Sequence, residues 1–130
     1  VKKITAHWTE GYGANFNPDR CEAMKLIKTF ASLGRALAWI GEREKGEPFT
    51  VATTAKKNDR ASHWLGLKRE MLRLKVPVAF LFGTGWGLHE DVVARSSAVL
   101  APILGGNDGY NHLSVRSAAS IVLDRFFGFR

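Results

Sequence analysis

Two apolar runs dominate the second half of the chain. Val76 to Phe82 is apolar almost without interruption, and Val99 to Ile103 repeats the pattern over a shorter span. Unbroken apolar runs, as opposed to alternating ones, predict parallel strands buried on both faces. Phe49 to Thr53 is short and β-branched and predicts another strand. Elsewhere the period changes to that of a helix. Ser32 caps a predicted helix with Leu33, Ala36, Leu37 and Ile40 on one stripe, ending in the charged segment Glu42 to Lys45 and Gly46. Asn58 and Asp59 precede a second helix, with Ala61, Trp64, Leu65 and Met71 on one side and Lys68, Arg69 and Arg73 elsewhere. Glu90 to Ser96 predicts a short helix. The strongest amphipathic stripe closes the chain: Val115, Ala118, Ala119, Val122, Leu123, Phe126 and Phe127. Upstream, Ile4 to Trp8 reads as the end of an element and Gly11 to Pro18 as a loop. Asp19 to Phe30 has no decisive period, with a strand expected at Lys25 to Phe30.

Short strands separated by helices predict an α/β domain with a mainly parallel sheet flanked by helices. In such sheets ligands bind outside the carboxyl ends of the strands. A chain of 130 residues, 45% apolar, is sized for a single domain, 1–130. Without a long apolar stretch or a signal-peptide pattern, the expectation is a cytoplasmic protein with no membrane partner. The lone Cys21 fits a reducing compartment and reads as a packed small side chain. The 19 Lys and Arg against 12 Asp and Glu, a net charge of +7, make nucleic acid the leading partner class. The chain begins at Val1 without an initiator Met, so either a segment upstream is missing or the domain is natively shortened.

Candidate chemistry lies at the strand ends. The first apolar run opens into Gly83-Thr84-Gly85-Trp86-Gly87, and the second into Gly105-Gly106-Asn107-Asp108-Gly109-Tyr110-Asn111-His112. Paired glycine-rich loops after buried strands suggest a small-molecule site built largely of backbone, although a tight turn is the plainer reading of the first loop alone. That loop is neither a P-loop, lacking Gly-Lys-Ser/Thr, nor a dinucleotide fingerprint, because Leu88 stands where the last glycine belongs. The second loop precedes the final helix, with Asn111 or Ser114 as its cap. A further mouth, Thr53-Thr54-Ala55, is followed by Lys56, Lys57 and Arg60, which read either as phosphate contacts or as an ordinary solvated turn. His89-Glu90 lacks a second histidine at the spacing of a metal pair, since Val93 stands there, so no metal is expected. His7 with Cys21 is read as packing in preference to a nucleophile and base. Trp86 either walls a flat ligand, contacts a partner chain or plugs an apolar gap. Ala118 and Ala119 permit close approach to the sheet or to a second subunit.

The stretches Leu81-Phe82-Gly83-Thr84-Gly85-Trp86-Gly87-Leu88 and Tyr110-Asn111-His112-Leu113-Ser114-Val115-Arg116-Ser117-Ala118 resemble the SPOUT class of RNA methyltransferases. The resemblance is nearest to a bacterial branch of S-adenosylmethionine-dependent RNA methyltransferases. It extends through His7-Trp8-Thr9-Glu10-Gly11-Tyr12-Gly13, Asn17-Pro18-Asp19-Arg20 and Val51-Ala52-Thr53. It implies a C-terminal trefoil knot, an exception to the rule that chains avoid knots. It further implies a homodimer, S-adenosylmethionine as cofactor and tRNA or rRNA as partner. Carried onto this chain, the cofactor-binding residues are Thr53, Gly83, Thr84, Gly85, Trp86, Gly87, Ile103, Leu104, Asn111, His112, Leu113 and Ser114. Arg116, His112 and Asp108 become the catalytic candidates, and Lys56, Lys57 and Arg60 the RNA-binding ones.

One departure is expected to matter. Family members carry a further strand and helix before the segment that begins at Val1, which would leave an open sheet edge needing cover. Two readings from other classes stand beside the enzyme: a non-catalytic RNA-binding module, and a dimeric remnant that keeps the pocket without turnover.

Overall fold

In the computed structural model, which describes residues 1–106 and 111–128, the apolar runs form one four-stranded parallel sheet. The strands are β1 (Phe49–Thr53), β2 (Ala61–Ser62), β3 (Val78–Leu81) and β4 (Ala98–Leu100), in the order β2-β4-β1-β3. Val51 pairs with Ala98 and Thr53 with Leu100, while Ala52 pairs with Leu81. The registers bring the carboxyl ends of β1, β3 and β4 level. In chain order α4 (Leu33–Glu44) precedes β1, and α5 (Trp64–Arg73), α6 (Glu90–Arg95) and α7 (Val115–Phe127) follow between and after the later strands.

Side chains alternate across a strand, so Val51, Ala98 and Leu100 share one face and Ala52 and Val99 the other. The first face packs on Leu67 of α5 and Val122 and Phe126 of α7. The Phe126 ring packs at a tilt against Trp64 and Phe80, with centroids 5.5 and 5.1 Å away. Ala52 and Val99 are themselves fully buried, so the central pair is covered on both faces as its apolar sequence predicts. At the other end of that pair, Thr50 and Ser97 exchange hydrogen bonds. The Thr50 amide donates to Ser97 Oγ at 3.1 Å and the Ser97 amide to Thr50 Oγ1 at 3.0 Å.

The structure departs from the sequence expectations at several places. β3 is only half-buried along its length, because it pairs with β1 alone and forms a sheet edge. Ala61 lies in β2, outside the helix expected after Asp59, and α5 starts at Trp64, where His63 Nδ1 accepts from the Leu65 amide. Leu65 then faces solvent. The stripe of α7 is buried only along its centre: Val122 and Phe126 are inside, whereas Val115, Leu123 and Phe127 are exposed.

The chain divides into two compact units, Val1–Trp39 and Ile40–Arg130. In the first, Lys2–Thr9 forms α1, Gly11–Phe16 α2 and Pro18–Lys25 α3. Ile4 to Trp8 is therefore the interior of a helix, and the expected Gly11 to Pro18 loop is mostly helical. Its Asn and Pro mark a helix start: Pro18 occupies the first turn of α3, and Asn17 Oδ1 accepts from the Arg20 amide at 2.9 Å. No strand forms at residues 25–30, where Leu26, Ile27 and Phe30 are exposed. Cys21 is buried in this unit, in keeping with a packing role. The Arg20 guanidinium lies over the Trp8 ring at 4.3 Å.

Candidate functional site

The carboxyl ends of β1, β3 and β4 open into one cleft of about 1170 Å³. Its walls are Thr53 to Asn58 after β1, Phe82 to Leu88 after β3, Leu100, Ala101 and Ile103 from β4 onward, and Asn111 to Val115 leading into α7. Trp64, Ala118 and Val122 line it from the helices. The mouths are tied to one another by hydrogen bonds from short side chains. Thr53 Oγ1 donates to the Leu81 carbonyl oxygen at 2.8 Å, holding the end of β1 to the end of β3. Asn111 Nδ2 donates to the Ala55 carbonyl oxygen at 3.1 Å. Ser114 caps α7 by accepting from the Ser117 amide at 3.2 Å, which decides between the two capping candidates.

The loop after β3 is a closed turn. The Gly87 amide donates to the Thr84 carbonyl oxygen at 2.8 Å, and Thr84 and Gly87 form an isolated antiparallel bridge. Two of its glycines are required by the turn itself. A Cβ on Gly83 would stand 2.2 Å from the Gly87 carbonyl carbon, and Gly87 has φ +83°, in the left-handed region. Gly85 differs, because a Cβ there would meet nothing within 4 Å. Its missing side chain leaves space open.

Of the cofactor-binding candidates, Thr53, Gly83, Thr84, Gly85, Trp86, Gly87, Ile103, Asn111, His112, Leu113 and Ser114 all line the cleft. Leu104 does not; it is exposed. Arg116 lies outside the lining, exposed on the first turn of α7 next to Val115, which lines it. Asp108 falls outside the described residues. Lys56, Lys57 and Arg60 line the cleft, but they are engaged differently. The Arg60 guanidinium donates to the carbonyl oxygens of Val93, Ala94 and Ser96 at 3.2, 2.8 and 2.9 Å, closing the carboxyl end of α6. Its hydrogen bonds are thus structural, whereas Lys56 and Lys57 are exposed.

Glu90, on the first turn of α6, was missed by the sequence reading. Among the described residues it is the only carboxylate lining the cleft. The signal was present in the helix start at His89-Glu90, but nothing in that pattern brings α6 to the strand ends. Among the described residues no cluster of His, Cys, Asp and Glu could hold a metal ion, and no helix is long and apolar enough to cross a membrane.

The model of the family described as SAM-dependent RNA methyltransferase matches residues 1–128. The chain belongs to this family. Among curated relatives, the "tRNA (guanine-N(1)-)-methyltransferase" of Oleidesulfovibrio alaskensis is 44% identical over 127 residues, covering 96% of this chain and 28% of that protein. The protein of the same description from Nitratidesulfovibrio vulgaris is 43% identical over 125 residues, again covering 28% of its length. An uncharacterized protein of Aquifex aeolicus is 34% identical over 128 residues, and the match spans 62% of it. The chain thus spans little more than a quarter of the first two relatives. A solved structure described as a probable methylase family protein from Haemophilus influenzae shares the fold. Its TM-score is 0.67 at 15% identity, over 90% of this chain and 48% of that one.

S-adenosylmethionine is the cofactor of a SAM-dependent methyltransferase family, and the cleft suits it. Its volume is ample for a drug-sized ligand. Leu100, Ile103 and Leu113 offer apolar wall, the main chain of the 83–87 turn and Thr53 offer polar atoms, and Gly85 leaves room for close approach.

Proposed function

We propose that residues 1–130 form one SPOUT-like domain that transfers a methyl group from S-adenosylmethionine to RNA, with tRNA as the substrate. The observation that carries this reading is the convergence of the β1, β3 and β4 ends on one cleft in a chain of this family. The description of two relatives as tRNA methyltransferases favours tRNA over rRNA. The reading includes a trefoil-knotted C-terminal segment, a cytoplasmic location and a homodimer. Exposed Leu123 and Phe127 on α7 support the dimer, since they extend an apolar flank beyond the buried Val122 and Phe126.

In this account the bound cofactor supplies an electrophilic methyl on a sulfonium. The protein's part is orientation and electrostatics. Main-chain groups of the 83–87 turn and of residues 103 and 111–114 hold the cofactor, with the Thr53 to Leu81 and Asn111 to Ala55 bonds keeping the mouths in register. Leu104 borders that segment from outside the cleft. His112, which lines the cleft, is the first candidate to accept the proton that the RNA acceptor atom would give up. Arg116 is the candidate for steadying the acceptor from the start of α7. Asp108 is kept as a candidate on its place in the sequence. Lys56 and Lys57 supply charge for RNA phosphates.

The test is transfer of labelled methyl to tRNA from cells lacking the gene. Saturable incorporation supports the enzyme. A protein that binds S-adenosylhomocysteine and tRNA yet transfers nothing would instead be the non-catalytic remnant.

A further inference from the structure

Of the four tryptophans, Trp8, Trp39 and Trp64 are partly buried, whereas Trp86 is 99% exposed. A single exposed apolar residue needs no explanation of its own. The setting of Trp86 does. It occupies the tip of a turn closed by the Gly87 to Thr84 hydrogen bond of 2.8 Å, with Gly83 packed against the Gly87 main chain. A bulky indole is therefore held out in water by a constrained turn at the rim of the cleft. Lys56 and Lys57, also exposed, line the same cleft.

A flat aromatic face lining the same cleft as exposed cations is a combination that suits unstacked nucleic acid. The ring stacks a base, and the ammonium groups take the adjoining phosphates. The cofactor is a poorer occupant for the indole, because a ring so completely exposed has neither face covered by the walls that would enclose a small molecule. The turn can serve both ligands through different atoms, the cofactor by its main chain and the RNA by this side chain.

We propose that the Trp86 indole is a stacking platform for a nucleobase of the RNA substrate, with Lys56 and Lys57 holding the neighbouring phosphates. The proposal rests on the RNA methyltransferase reading. It adds a residue that contacts the RNA and a reason for its exposure.

The test uses the whole protein, total tRNA from cells lacking the gene, and S-adenosylhomocysteine as a separate probe. Trp86→Ala should raise the Kd for tRNA by about five- to a hundredfold, the range of one base–aromatic stack. Trp86→Phe should recover most of that loss, with the S-adenosylhomocysteine affinity of each variant measured beside it. Tryptophan fluorescence should be quenched by tRNA in the wild type and much less in Trp86→Phe. Unchanged tRNA affinity in Trp86→Ala would overturn the proposal, as would wild-type protein that does not bind tRNA. Loss of S-adenosylhomocysteine binding in the variants would assign the indole to the cofactor, and conversion of a dimer to a monomer would assign it to a partner subunit. Failure of the underlying reading shows separately, as wild-type protein that binds no S-adenosylhomocysteine and transfers no methyl.

Discussion

The side-chain amide of Asn111 donates a 3.1 Å hydrogen bond to the carbonyl oxygen of Ala55, joining the segment before α7 to the segment after β1 across the cleft. A bond between two loops 56 positions apart sets the width of the opening between them. Asn111→Ala removes the donor and leaves the Ala55 carbonyl to water. With a net value of about 1 kcal/mol for such a bond, the melting temperature should fall by a few degrees, and S-adenosylhomocysteine should bind more weakly because the opening is no longer held. Calorimetry and a thermal melt on the same sample check both.

The glycines of the 83–87 turn are predicted to separate into two kinds. Gly83→Ala forces a Cβ into the main chain of Gly87 and should cost about 1–3 kcal/mol of stability, read as a lower denaturation midpoint. Gly85 has open space, so Gly85→Val should melt near the wild type yet lose S-adenosylhomocysteine affinity by more than about tenfold. A Gly85→Val variant that is folded and binds normally would mean that this glycine is not an access point.

Arg60 and its two lysine neighbours should also separate. Arg60 closes the end of α6, so Arg60→Ala should lower stability by roughly 1 kcal/mol, discounted for its exposure. Lys56→Ala and Lys57→Ala should leave the melt unchanged. If they contact phosphates, each should reduce the slope of log affinity for tRNA against log salt by about one. Filter binding across a salt series reads this directly.

Much of this was legible in the sequence. Unbroken apolar runs marked β3 and β4, and the glycine mouths after them pointed to the cleft, because parallel strands place their carboxyl ends together. Periodicity could not tell a central strand from an edge one, which is why Val76 to Phe82 seemed as buried as Val99 to Ile103. It overcounted the stripe of α7 for the same reason: a helix on a small sheet buries only the centre of its apolar arc, here Val122 and Phe126. Composition misled at Gly11 to Pro18, where the residues of a loop are equally those of helix starts. Arg60 and Glu90 were out of reach, since their roles depend on α6 lying beside the strand ends.

The two flanks of α7 should respond differently to substitution. Phe126→Ala removes a ring packed against Trp64 and Phe80 and should destabilise by about 3–5 kcal/mol. Leu123→Glu with Phe127→Glu changes only exposed positions and should leave the fold intact. If that flank pairs two subunits, the double variant sediments as a monomer where the wild type is a dimer. An unaltered sedimentation coefficient would place the dimer contact elsewhere.

The measurement that tests the central claim most directly is calorimetric titration of the purified protein with S-adenosylhomocysteine, the product expected to occupy the cleft without turnover. The account predicts saturable binding, one molecule per chain, abolished or strongly weakened in Gly85→Val. No binding by a folded wild-type protein would contradict it, and the cleft at the ends of β1, β3 and β4 would then not be a cofactor site.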